Sequence, residues 1–314
     1  AAKPLAVVLE APERLDVRPV LLAAPHDGDV VVDVEWSGIS TGTERLLYTG
    51  AMPQFPGMGY PLVPGYECVG RITKDDAASG LREGDRVFVP GARCFGDIKG
   101  LFGGSASRVV TPAARVVPVA DGLGEEATLL ALAATAYHAV AAPGASLPEL
   151  IVGHGVLGRL LARVTMAVGG DAPVVWETSE NRRGGGQGYT VVDPAADTRN
   201  GYASIYDASG SADILDTLIG KLSPGGEIAL AGFYESRIGF EFPPAFMREA
   251  RIRVAAEWKE QDLRDTARLI ADGKLSLAGL ITHHSSALDA PSAYRTAFND
   301  PDCLKMILDW RTAE

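Results

Sequence analysis

The chain has 314 residues, 46% of them hydrophobic, and sets 29 Lys and Arg against 40 Asp and Glu for a formal charge of −11. That length and apolar content suit two domains with sizeable cores, while the acidic balance, with a pI near 5.0, lacks the basic face that nucleic acid or an anionic membrane surface would need. Cys68, Cys94 and Cys303 form no CxxC pair and suit a reducing compartment; with no apolar run of the ~20 residues that span a membrane and no export signal at the N-terminus, a soluble cytoplasmic protein is expected.

Residues 1–126 read as mostly β. Ala6 to Leu9, Val30 to Trp36, Cys68 to Ile72 and Arg86 to Val89 are short β-branched runs between Gly, Pro and Asp clusters, the pattern of a small barrel or sandwich. Ala127 to Ala142 is rich in Ala and Leu and stops at Pro143-Gly144, as a helix does. Strands at 150–152, 174–176, 189–192, 204–207, 227–231 and 251–256 then alternate with helices at 155–168, 212–222 and 262–272, which predicts a doubly wound parallel sheet. Between Glu177 and Tyr189 the chain is too short for a crossover helix, so a single turn and a mobile glycine loop are expected there.

The run from Leu150 to Leu161 is the most specific local signal. An apolar strand enters Gly153-His154-Gly155-Val156-Leu157-Gly158 and leaves as a helix, the order of a dinucleotide-binding turn. Gly153 permits the tight exit, Gly155 the approach of a pyrophosphate, and Gly158 close packing of helix on sheet. The helix N-terminus favours the phosphates. Glu177 ends the next strand about 20 residues beyond Gly158, where a ribose-binding acid belongs. Ser209, Gly232 and Phe233, each just past a later strand, are placed with this cofactor set.

Gly38-Ile39-Ser40-Thr41-Gly42-Thr43-Glu44, Pro64-Gly65-Tyr66-Glu67-Cys68-Val69-Gly70, Glu83-Gly84-Asp85-Arg86-Val87, Thr135-Ala136-Tyr137-His138 and the glycine turn follow one another in an order that resembles the medium-chain dehydrogenase/reductase superfamily. The resemblance covers nearly the whole chain. It implies a GroES-like β-barrel catalytic domain, 1–126 completed by 262–314, a Rossmann domain over 127–261, and an active-site cleft between them. A narrower likeness, in Ser37 to Glu67 and Cys303 to Trp310, is to the branch that dehydrogenates bacteriochlorophyllides. That likeness implies a tetrapyrrole substrate whose 3-(1-hydroxyethyl) group is oxidised to 3-acetyl with NAD; NADP remains open, and a homodimer is an admissible assembly.

Zinc-dependent relatives carry a Cys, a His and a further Cys or acid. The resemblance sets Thr41, Tyr66 and Ala131 at those positions, none of which ligates zinc well. The lobe from Gly91 to Gly104, where a four-thiolate structural site would fall, holds only Cys94. No metal is therefore expected, and the carbinol proton needs a protein acceptor or relay. Tyr66 and Thr43 are the candidates, with Glu67 beside them; equally, Tyr66 could fill the space that zinc vacates, and Glu67 could form a supporting salt bridge. His138 reads as a packed or helix-end residue, His154 points from the turn toward the pyrophosphate, where any residue is tolerated, and the His283–His284 pair reads as a surface pair or as axial ligands to a chlorin magnesium.

Tyr48, Met52, Phe55 and Met58 belong to a Met- and aromatic-rich loop, suited either to a flat apolar ligand or to packing on its own domain. Arg45, Arg93 and Lys305 are candidate cations for a substrate propionate. Two other functions fit the missing zinc ligands: an NADPH-dependent quinone or enone reductase, for which Arg182 and Arg183 would hold the 2′-phosphate, and a dinucleotide-binding protein without turnover.

Overall fold

The strand Asp29–Ile39 alternates buried Val30, Val32 and Val34 with half-buried Val31, Asp33 and Glu35, giving its sheet one core face and one wetter face. It is the longest strand of the first of two units into which the chain divides, Ala1–Ala131 with Ala278–Glu314, and Leu132–Leu277. The structure, a computed structural model, describes residues 3–313. Cys68–Lys74, Arg108–Pro112 and Met306–Asp309 all pair antiparallel with Asp29–Ile39. A second sheet runs Arg14–Pro19, Leu5–Ala11, Leu62–Pro64, Lys99–Leu101. Val7, Val30, Val89 and Val109 share a core with Leu308 and Trp310 from the far end of the chain.

Two short helices in this unit were not anticipated. Thr43–Thr49 buries Glu44, Leu46 and Leu47 and ends on Gly50, whose φ of 78° is the left-handed cap that favours glycine. Tyr48 therefore lies on a helix, and only Met52, Phe55 and Met58 belong to the loop after it. Ala290–Asn299 buries Tyr294 and Phe298.

The second unit is a six-stranded parallel sheet in the order Thr190–Val192, Val174–Trp176, Leu150–Val152, Tyr202–Asp207, Leu222–Leu230, Arg251–Val254. This is the doubly wound arrangement whose order reverses beside the first strand. Only the 3₁₀ turn Glu180–Arg182 lies between Val174–Trp176 and Thr190–Val192, in place of a crossover helix. The helix expected from Ala127 begins at Leu130, after a 3₁₀ stretch Asp121–Leu129. Helix Glu260–Ala271 falls in the second unit, whereas the boundary expected at 262 puts it in the first. Asp262 ties it there through Oδ2, 2.7 Å from His138 Nδ1.

Candidate active site

Gly153, at φ +99°, turns the chain out of Leu150–Val152 and into helix Val156–Ala167. A Cβ on Gly158 would lie 1.8 Å from the Gly153 carbonyl oxygen, so no larger residue lets the helix start this close to the strand. At Gly155 a Cβ would meet nothing within 4 Å. That side of the turn is open, and the first-turn N–H groups of Val156 and Leu157 have no partner within the helix. A turn bare of side chain beside helix-end N–H groups fits a pyrophosphate.

The other cofactor candidates gather on the same rim. Cα of Ser209 is 3.3 Å from the Cβ position of Gly153, and the Gly232 Cβ position is 3.1 Å from Gly210 N. Ser209 donates its N–H and hydroxyl to Asp207 Oδ1, and Tyr234 donates to Asp207 Oδ2 at 2.5 Å. Asp207, fully buried, thus braces the loops after two strands and was missed in the sequence. Phe233 is 53% exposed, its ring available to a ligand. Glu177 accepts the N–H of His154 at 3.1 Å and that of Ser179 at 2.8 Å, so its carboxylate lies on the turn. Arg183 is committed to Asp193 Oδ2 and the carbonyls of Glu177 and Thr178.

His154 departs from expectation. Its ring is buried, with Nδ1 2.6 Å from the Arg182 carbonyl and Nε2 2.8 Å from the Tyr189 hydroxyl. The imidazole braces the loop behind the turn, and only the backbone of His154 faces the ligand side. Burial lowers its pKa to about 4.

In the first unit, Tyr66 Oη and Ser40 Oγ are 2.6 Å apart, and Thr43 also hydrogen-bonds Tyr66. The alignment sets Thr41 at the place of a metal-binding Cys, but it is Ser40 that meets Tyr66. Burial, and next the charge of Glu67, push the Tyr66 phenol above its ordinary range, while the Ser40 and Thr43 bonds pull it back. Glu67 has no exposed surface, and both its oxygens accept from Lys305 Nζ, at 3.0 and 2.8 Å. It therefore cannot touch substrate, and Lys305, itself buried, cannot serve a propionate. Arg45 donates to the Phe298 carbonyl and sits over that ring; Arg93 is exposed.

Glu44 accepts Ser40 N–H at 2.5 Å and the Tyr294 hydroxyl at 2.7 Å. Burial raises its carboxyl to about 7 against those two bonds. Ser40, Glu44 and Lys305 all lie in the runs that carried the resemblance, but spacing does not reveal which side chains turn inward. Tyr48, Met52 and Met58 pack on Leu9, Leu47, Leu62 and Leu101, the domain-packing alternative. Phe55 stays exposed, and so does Phe102, whose ring stands edge-on to Tyr66 at 5.8 Å. His283 pairs with Asp300 and His284 with Glu125. Among the described residues no three His, Cys, Asp or Glu side chains converge to hold a metal, and no helix is long and apolar enough to cross a membrane.

The alcohol dehydrogenase GroES-like domain family matches residues 26–121. The 2-desacetyl-2-hydroxyethyl bacteriochlorophyllide A dehydrogenase of Cereibacter sphaeroides is 57% identical over 311 residues, with 98% of each chain covered. Its namesake from Rhodobacter capsulatus is 55% identical over 309 residues, again with 98% of each covered. Among solved structures, a short chain alcohol dehydrogenase from E. coli CFT073 complexed with NADH superposes with a TM-score of 0.83 at 19% identity, covering 98% of this chain and 100% of that one. A dehydrogenase from Sinorhizobium meliloti 1021 bound to NADP gives 0.82 at 20%, with the same coverage.

Proposed function

We propose that this chain, which belongs to the 2-desacetyl-2-hydroxyethyl bacteriochlorophyllide A dehydrogenases of the medium-chain dehydrogenase/reductase superfamily, oxidises the 3-(1-hydroxyethyl) group of a bacteriochlorophyllide to 3-acetyl without zinc and with NAD. The observation that carries the zinc-free reading is the 2.6 Å bond between Tyr66, where the resemblance sets a metal-binding His, and Ser40, the neighbour of Thr41, where it sets a metal-binding Cys.

Oxidising a secondary alcohol to a ketone removes a hydride and a proton. Gly153, Gly155, Gly158, the N–H groups of Val156 and Leu157, Ser209, Gly232, Phe233 and Glu177 would hold NAD, which would supply the hydride acceptor. The protein's task is the proton. Tyr66 is neutral at physiological pH, since a free phenol titrates only near ~10 and burial raises it further. It accepts the carbinol proton only as it gives up its own, and Thr43, half-buried beside it, hands that proton to water. Ser40 donates to Tyr66 Oη and offsets the negative charge that develops there during transfer. Glu67 and Lys305 hold the surrounding backbone.

NAD over NADP is supported by the Glu177 carboxylate on the turn, which would repel a 2′-phosphate, and by the engagement of Arg183 with Asp193. Phe102 and Phe55, both 36% exposed, offer apolar contact to a tetrapyrrole, with Tyr48, Met52 and Met58 packed behind the Phe55 loop. The assembly we favour is a homodimer formed through the edge strand Arg251–Val254 and the exposed Phe242, Phe246 and Met247. Three buried free cysteines suit a reducing cytoplasm. Incubation with 3-hydroxyethyl bacteriochlorophyllide a and NAD, followed through the long-wavelength pigment band and NADH absorbance, tests the function. Formation of the acetyl pigment with equimolar NADH is expected, and no reaction with a correctly folded, NAD-binding protein would refute it.

A further inference from the structure

Two buried ionisable side chains, Lys305 and Glu44, meet a single peptide group in the first unit. Lys305 Nζ donates to the Ile39 carbonyl at 3.0 Å, and Glu44 Oε2 accepts the Ser40 N–H at 2.5 Å. These are the two ends of one peptide plane. The Ser40 carbonyl in turn accepts the Glu44 backbone N–H at 3.2 Å, so Ser40 and Glu44 are stitched together in both directions. Each gripping group is anchored elsewhere: Lys305 on both oxygens of Glu67, and Glu44 on the hydroxyl of Tyr294 from helix Ala290–Asn299. Lys305, Glu44, Glu67 and Tyr294 are each no more than 1% exposed.

Burying two carboxyl groups and one ammonium is costly unless every donor and lone pair finds a partner, and core hydrophobes would fill the volume more cheaply. What the arrangement does provide is a fixed orientation of one peptide. With that plane fixed and the Ser40 carbonyl held by the Glu44 N–H, the Ser40 φ is restrained and the χ1 rotation is left to aim its hydroxyl, whose Oγ rests on Tyr66 Oη. We propose that Glu44 and Lys305 are positioning residues that clamp the Ile39–Ser40 peptide from both sides and so hold the Ser40 hydroxyl on Tyr66. The clamp does for a hydroxyl pair what a metal does for its ligands: it sets the geometry before substrate arrives. This inference rests on the proposed role of the Ser40–Tyr66 pair in proton transfer.

The test is a double-mutant cycle in the full-length enzyme, with kcat and KM measured for Glu44→Leu, Glu44→Gln and Tyr294→Phe, each alone and combined with Ser40→Ala. Glu44→Leu frees the peptide, and a small misplacement of a catalytic group costs about 10- to 100-fold in kcat, with pigment KM and NAD affinity nearly unchanged. Glu44→Gln keeps an acceptor for Ser40 N–H and should retain more turnover than Glu44→Leu. Tyr294→Phe is the milder variant should Glu44→Leu not fold, and should lower kcat several-fold. On the Ser40→Ala background all three should cost little further, because coupled residues are not additive. Equal cost on both backgrounds would overturn the clamp while leaving the Ser40–Tyr66 mechanism intact. Silent Ser40→Ala and Tyr66→Phe variants would remove that mechanism, and the clamp with it.

Discussion

The Glu177 carboxylate accepts the backbone N–H of His154 across 3.1 Å, which ties the end of one strand to the glycine turn that follows its neighbour. An acid held there by backbone donors presents fixed negative charge where the adenosine ribose would lie. Calorimetric titration should therefore give tighter binding of NAD than of NADP. Glu177→Ala should weaken NAD by about 10- to 100-fold, the worth of hydrogen bonds to a charged group, and narrow the preference. Tighter NADP binding by the unaltered protein would move the assignment to Arg182 and its neighbours.

The glycines of the turn should separate by experiment. Gly158→Ala puts a methyl 1.8 Å from a backbone oxygen, so it should lower the melting temperature and abolish dinucleotide binding together. Gly155→Ala meets no protein atom within 4 Å, so its melting curve should match the parent while NAD binding weakens. Loss of stability in Gly155→Ala would show that the glycine serves the fold rather than a ligand.

The turn was legible because its chemistry is local: strand, three glycines and helix follow one another, and the acid comes at a fixed distance. Its surroundings were less so. His154 turns its ring inward to the Arg182 carbonyl and Tyr189 hydroxyl, contacts made across a loop that periodicity does not describe. In the first unit the motif around Tyr66 was visible with Thr43 beside it, but Ser40, whose hydroxyl is 2.6 Å from Tyr66 Oη, was not singled out, since spacing does not give the side-chain direction in an irregular segment. The Glu67–Lys305 pair joins residues 238 positions apart. No local pattern encodes such a contact, and Lys305 read as a surface cation until the fold enclosed it.

Metal dependence follows from the donor set. Ser40, Thr43 and Tyr66 offer neutral hydroxyls, which bind zinc poorly compared with thiolate, imidazole or carboxylate. Turnover should persist after exhaustive treatment with a chelator, and elemental analysis of the active protein should find well under one zinc per chain. Stoichiometric zinc whose removal abolishes turnover would refute the hydroxyl relay.

His154 gives the second unit a pH signature. The Arg182 carbonyl can only accept, so Nδ1 carries the proton, and Nε2 must accept from Tyr189. Burial brings its folded pKa down to about 4, below the 6.5 of a free imidazole. The stability this contributes is present above pH 6.5 and is lost as pH falls toward 4, because the unfolded chain takes up the proton first. Thermal melts should show His154→Gln less sensitive to acid than the parent in that window. Parallel curves for the two proteins would mean that the ring titrates normally.

Tyr66→Phe tests the proton route most directly, because it removes one oxygen and keeps the ring that stands against Phe102. If the hydroxyl passes the carbinol proton, turnover should fall by roughly the 10²- to 10⁴-fold typical of a lost acid–base group, while NAD affinity and the melting temperature stay close to the parent. Thr43→Val should lower turnover in the same direction, since it cuts the path to water without touching the ring. A space-filling Tyr66 predicts instead that Phe is nearly silent. The pH profile separates the two roles further. Burial holds the phenol above its ordinary range, so the limb of kcat near neutral pH should not belong to Tyr66 and should look alike in both proteins. A limb present in the parent and absent in Tyr66→Phe would mean that the phenol ionises within the working range and acts as a base outright.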